Sequence, residues 1–283
     1  MTFNKITSYI YIIAVSIALV ACGTSTTEED SLTNGDGTSF VQKEKNTKVQ
    51  KMLSSLPSQS ETLKLLNDAG AKYNSKNLNP IENTSKYSSV KSRALNLGVY
   101  GIDLGVTSLF DQSQESMLYL RCTNKLATSL GISGAFGEDM TSRIQANEDN
   151  KDSMLAIVSQ SFKNSDNYLQ ENGQPGVSTL MVAGGWIEGL YVSTQIGIAT
   201  NNNEAVVSRI GMEKSNLDNL ISLLESYKAE NQGTEDIIAS LKELKKVYDT
   251  ILIAPTETTA KVSPEQFKQI SEKATELRNK IIQ

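Results

Sequence analysis

Leu217-Asp-Asn-Leu220-Ile-Ser-Leu-Leu224-Glu-Ser-Tyr227 carries large apolar side chains at steps of three and four, at 217, 220, 224 and 227. That step places 217, 220, 224 and 227 on one stripe of an α-helix, whereas a half-buried strand would alternate every second residue. The same step returns in Ile237, Leu241, Leu244, Tyr248 and Ile251, and again in Phe267, Ile270, Ala274, Leu277 and Ile281. Three amphipathic helices with narrow apolar seams follow, the pattern of antiparallel bundle packing. The last opens at Ser263-Pro264-Glu265-Gln266, with Ser as N-cap, Pro in the first turn and Gln at the third position.

Toward the N-terminus, helical periodicity and end signals continue, and two-residue alternation bounded by hairpin turns is missing. Ser58-Gln-Ser-Glu61 is a capping box that opens a helix ending near Gly70, and Asn79-Pro80 breaks the chain before a long helix over about 83–111. Further helices are predicted over about 114–130, stopped by Gly131, over about 135–148, and over about 149–171, closed by Asn172-Gly173-Gln174-Pro175. No repeat of fixed period stands out. The expected fold is all-α: an antiparallel bundle of about eight helices forming one domain over 49–283.

Two central segments differ from the rest. Ala94-Leu-Asn-Leu-Gly98-Val-Tyr100-Gly101-Ile-Asp103-Leu-Gly105 and the stretch 177–199, containing Ala183-Gly184-Gly185-Trp186-Ile187-Glu188-Gly189-Leu190-Tyr191, are apolar nearly all round and each carries a single carboxylate. Glycine costs about 1 kcal/mol per residue within a helix relative to alanine, so these glycines need a compensating reason. Gly101 with Gly105 and Gly185 with Gly189 lie four apart on one face, where a neighbouring backbone can come close. The two helices are therefore expected to form the buried centre.

Three readings of this pair stand side by side. In one it is a packed core in which Asp103 and Glu188 lie at helix margins or pair with Arg93, Arg121, Arg143 or Arg209. In another, Tyr100, Asp103, Trp186, Glu188 and Tyr191 line a ligand pocket, since aromatics with a carboxylate can orient a small polar or cationic ligand. In the third, 177–199 spans a membrane, being long enough but carrying a central Glu.

The chain begins with Lys5 and then the apolar run 10–20, the charged and apolar regions of a secretory signal peptide, too short for a comfortable span. Leu19-Val20-Ala21-Cys22-Gly23 then resembles the lipobox of bacterial lipoproteins. That implies removal of 1–21 and lipid attachment to Cys22, which would hold the protein to the membrane. Residues 22–48 are rich in Gly, Thr, Ser, Asn and acids and bury too little to offset their ordering entropy, so they read as a flexible tether. Within it, Glu28-Glu29-Asp30 resembles the acidic patch that follows the lipidated cysteine in surface-exported lipoproteins of Bacteroidota.

Asn96-Leu-Gly-Val-Tyr-Gly-Ile-Asp-Leu104, the helix start Asn150-Lys-Asp-Ser153, Tyr168-Leu-Gln-Glu-Asn-Gly173 and Ala183-Gly-Gly-Trp-Ile-Glu-Gly-Leu-Tyr191 together resemble a family of helical lipoproteins of Bacteroidota without an assigned biochemical role. The resemblance covers about 50–255 and implies a helical fold and an outer-membrane, lipid-anchored address, either periplasmic or surface-exposed. It implies no activity and no cofactor.

Composition narrows the chemistry. Of 27 basic residues only Lys5 leaves with the leader, so 26 face 32 acidic ones and the remaining chain carries about −6. With no basic block, a nucleic-acid partner is not expected. Histidine is absent, which removes Ser-His-Asp and Cys-His nucleophiles and the usual zinc sites. Of the two cysteines Cys22 takes the lipid, leaving Cys122 without a disulfide partner, a buried thiol in a helix.

Ser88-Ser-Val-Lys91 and Ser165-Asp-Asn167 match two motifs of penicillin-recognising enzymes, but the K-T-G on an edge strand is missing and Lys91 lies in a solvated stretch. Asn147 to Asp152 has the wrong residues for an oxygen-ligand metal loop and reads as a helix start. The expected function is thus a lipid-anchored, non-enzymatic envelope module binding a partner protein or small ligand. The alternative is an envelope hydrolase using paired carboxylates.

Overall fold

The computed structural model describes residues 68–136, 140–147, 150–253 and 258–283. The leader, Cys22, the tether at 22–48 and the predicted start at Ser58 lie outside the described residues. Two 3-10 turns, Ser75–Asn77 and Ile81–Lys86, precede α1 (Val90–Leu109), α2 (Ser113–Ser129), α3 (Ser133–Phe136), α4 (Met140–Gln145) and α5 (Lys151–Glu171). Then come α6 (Pro175–Ala199), α7 (Glu204–Gly211), α8 (Lys214–Ser226), α9 (Glu235–Tyr248) and α10 (Pro264–Ile282). No strand occurs among the described residues, and the fold is all-α.

Local chemistry fixes the ends. Ser89 and Ser92 cap each other reciprocally across the first turn of α1, each backbone N–H donating to the other's hydroxyl at 3.1 Å. This cap starts α1 at Val90, so the helix predicted over 83–111 is preceded by a separate 3-10 turn with Tyr87 extended between them. The helix predicted over 135–148 is two short ones, α3 and α4. The two-turn α7 went unanticipated because eight residues are too few to display a period. Its start is set by the Asn203 side chain, which accepts from the N–H groups of Ala205 and Val206. Asn150 caps α5, Pro175 opens α6, and Ser263 with Gln266 makes the expected capping box on α10.

The centre is α1 against α6, with α2 and α5 flanking α1 and α10 lying on α6 and α9. Every residue of α1 from Ala94 to Leu109 is buried, and one apolar core runs from Leu78 to Ile281. Burial within the protein therefore accounts for the all-round apolar surface of α6. Among the described residues no helix is long and apolar enough to cross a membrane, which corrects the reading of 177–199 as a span.

The close approach centres on Gly98 and Gly184, which belong to neither of the expected glycine pairs. A Cβ on Gly184 would stand 1.8 Å from the Leu95 carbonyl oxygen, and one on Gly98 would stand 2.0 Å from the Met181 oxygen and 2.5 Å from the Gly185 nitrogen. Backbone is what fills these spaces, so no side chain can yield. Gly101 instead makes room for the Phe162 ring of α5, 2.0 Å from its would-be Cβ. At Gly185 the nearest atom is 3.6 Å away, and at Gly189 it is Ile102 Cδ1 at 4.0 Å. The backbones touch at 95–98 and 181–185, whereas Gly185 and Gly189 turn toward a partly exposed side of α6. Asp103 and Glu188 face each other about one turn beyond this contact.

Candidate functional site

Beyond the backbone contact, the interface of α1 and α6 is polar at its centre. Glu188 is completely buried, and both of its carboxylate oxygens accept from Arg278 Nε, at 3.0 and 3.2 Å. Arg278 comes from the last turns of α10 and is itself almost fully buried. Its guanidinium lies over the Tyr191 ring, 4.4 Å from the centroid, and donates to the Asn77 carbonyl at 3.3 Å. Asp103, also completely buried, faces Glu188, and its Oδ2 accepts from the Asn79 N–H at 3.1 Å.

Asn79 is the hub of a second layer. Its carbonyl accepts from Tyr119 Oη at 3.1 Å, and its amide donates to Tyr87 Oη at 3.0 Å and Asn96 Oδ1 at 3.3 Å. Asn96 in turn donates to the Ile281 carbonyl at 2.7 Å, and Tyr87 Oη donates to the Ile282 carbonyl at 3.2 Å. Carbonyls in the last turn of a helix have no intrahelical donor, so these side chains satisfy the end of α10. Tyr100 donates to the Pro80 carbonyl at 2.9 Å and packs its ring between those of Tyr87 and Tyr119.

Of the five residues expected to share a pocket, Asp103, Glu188 and Tyr191 therefore come together around Arg278, with Tyr100 beside them. Trp186, two positions before Glu188, projects from another side of α6, where its indole N–H donates to Glu213 Oε2 at 3.1 Å. Asn216 donates to the same oxygen at 2.8 Å, and Arg209 lies 3.5 Å from the other. All five are buried.

The partner of Glu188 is none of the four arginines expected. Arg93 donates to the Tyr87 and Ser129 carbonyls, Arg209 goes to Glu213, and Arg121 and Arg143 are exposed. Arg278 was missed although a signal existed: 267, 274, 278 and 281 share one stripe of α10, so an arginine occupies a seam position. In the sequence Asn79 reads only as a helix breaker, and nothing in the spacing of Tyr87, Asn96 and Tyr119 signals that they act together.

Burial pushes the Asp103 carboxyl well above the usual carboxylate range, and the neighbouring Glu188 pushes it further. Burial raises Glu188 too, against the opposing pull of Arg278. Burial is the largest influence on Arg278 and opposes its charge, but the attraction and hydrogen bonding of Glu188, together with Asp103 and Tyr191, leave it more firmly protonated.

Other candidates are engaged in the scaffold. Lys91 Nζ donates to the Gly233 carbonyl at 2.7 Å, Ser88 is exposed, and Asp166 is fully buried, accepting from Ser178 and Gln170. Cys122 is a buried free thiol in α2, as expected. It accepts from Thr84 Oγ1 at 3.0 Å, and burial raises its pKa. Among the described residues no group of three or more Cys, Asp or Glu side chains is placed to hold a metal ion. Compared with models of protein families, with curated proteins and with solved structures, the chain matches none.

Proposed function

We propose that the protein is a lipid-anchored helical module of the cell envelope, held to the outer membrane through Cys22 and binding a partner protein or a small ligand without catalysing a reaction. The observation that carries this reading is Leu19-Val20-Ala21-Cys22-Gly23, placed between an apolar run and a polar, acidic stretch. Similarity to helical lipoproteins of Bacteroidota supports the same address, and Glu28-Glu29-Asp30 favours the outer face. The non-enzymatic part rests on the absence of histidine and on the position of Asp103 and Glu188. A hydrolase needs its carboxylates in contact with substrate and water, whereas these two are completely buried and one is engaged by a guanidinium.

Metabolic labelling with a palmitate analogue, followed by membrane fractionation, tests the anchor. The native chain should take up label and sediment with membranes, and Cys22→Ser should do neither. Membrane retention of the unlabelled Cys22→Ser protein would overturn the proposal. Protease treatment of intact cells then separates an outward-facing domain, which is digested, from a periplasmic one, which survives.

A further inference from the structure

Two carboxylates with no exposed surface, Asp103 and Glu188, meet a single guanidinium, Arg278. If both were ionised, one negative charge would stand uncompensated in the interior, and a buried group in that position takes up a proton instead. Hydrogen bonding locates the proton. Glu188 accepts twice from Arg278, and Asp103 Oδ2 accepts from the Asn79 N–H, but Asp103 Oδ1 receives no donor although it is fully buried. Oδ1 is satisfied if it carries the hydrogen and donates it to the facing Glu188 carboxylate. One negative and one positive charge then remain.

The same cluster is where the C-terminal helix is fastened. Arg278 holds Glu188 of α6 and the Asn77 carbonyl, while Asn79, which donates to Asp103, also holds Tyr87 and Asn96, whose side chains cap the Ile282 and Ile281 carbonyls. We infer that Asp103 and Glu188 share one proton, and that this proton latches α10 and residues 77–79 onto α1 and α6, so that its loss loosens them.

Tyr73 before α1, Tyr87 and Tyr100, Tyr119 and Cys122 on α2, and Tyr191 on α6 also face the pair, and burial raises each of them, favouring the neutral form. The charges facing Asp103 among the described residues are those of Glu188 and Arg278. Because the folded-state value of Asp103 lies above its unfolded value, its stabilising effect is complete below the ordinary carboxyl range. That effect is lost as pH rises toward the folded value. One proton changes an opening equilibrium by at most about tenfold per pH unit.

Hydrogen exchange of the α10 amides in the full chain, corrected for the intrinsic chemistry of exchange, reads the latch directly. In the native protein the opening equilibrium should grow with pH, by up to about tenfold per unit. In Asp103→Asn, whose amide still donates to Glu188, it should be flat. Equal slopes in the two proteins would overturn the inference. Infrared spectroscopy near pH 7 tests the proton itself without depending on that variant. A protonated-carboxyl C=O band that shifts with ¹³C-aspartate labelling and persists in Asp166→Asn supports the pair. Absence of such a band, or its loss in Asp166→Asn, would overturn it.

Discussion

The seam between α1 and α6 and the seam between α8 and α9 hold helices together by opposite means. Where α8 packs on α9, Leu217, Leu220 and Leu224 of one and Ile237, Leu241 and Leu244 of the other are all buried, and ion pairs such as Lys245–Asp218 and Lys242–Glu225, each at 2.6 Å, link the two helices outside the core. Side chains fill that interface, and each can shift slightly when a neighbour changes. At the contact between α1 and α6, backbone touches backbone through Gly98 and Gly184, and about one turn on a buried charged cluster takes the place of apolar packing. There the tolerance to change falls to almost nothing over a few residues and then returns. The lesson is that glycine content alone does not mark an intolerant site; what the missing side chain would strike does.

This contrast can be broken in three ways. The largest effect is expected at Gly184→Ala. The added carbon collides with the Leu95 carbonyl, so a gain of about 1 kcal/mol in helix propensity is overwhelmed by a loss beyond about 4 kcal/mol. Urea unfolding should find the variant largely unfolded in buffer, and a stability within about 1 kcal/mol of native would refute the contact. Arg278→Met comes next. It strands Glu188 without a counter-charge, for which a cost of about 3 to 5 kcal/mol is expected at neutral pH. Because Glu188 can then take up a proton, the loss should shrink toward acid pH, and a pH-independent loss would show that packing alone is at stake. The smallest effect carries the opposite sign. Gly189→Ala, with only Ile102 Cδ1 at 4.0 Å, should stabilise the protein by up to about 1 kcal/mol, read as a raised melting temperature. A drop would mean that α1 and α6 stay close further along than the glycine contacts indicate.

The C-terminal helices were legible because each has one wet and one dry side, and a one-sided environment imprints its period on the sequence. The stripes at 217–227, 237–251 and 267–281 became α8, α9 and α10 with most of their residues buried as expected. For α6 the period is nearly silent, because a helix buried on almost every side has little asymmetry to record. Its central position could be read from its composition, but not its neighbours. The candidate site was half legible for a related reason. A lone carboxylate in an apolar helix signals that something unusual holds it, yet its partner Arg278 lies 90 residues away along the chain.

By itself the sequence determined the all-α class, the helix caps at Asn150 and Ser263, the burial of the two glycine-bearing helices and the solitary thiol of Cys122, since each depends on interactions within a few residues or on composition. Tertiary structure alone decided which glycines touch backbone, which arginine meets Glu188, and that Asp103 faces it as a second buried carboxyl. Those outcomes depend on the crossing point of two helices and on where α10 docks. They are properties of distances between segments remote in sequence, and local periodicity does not encode them.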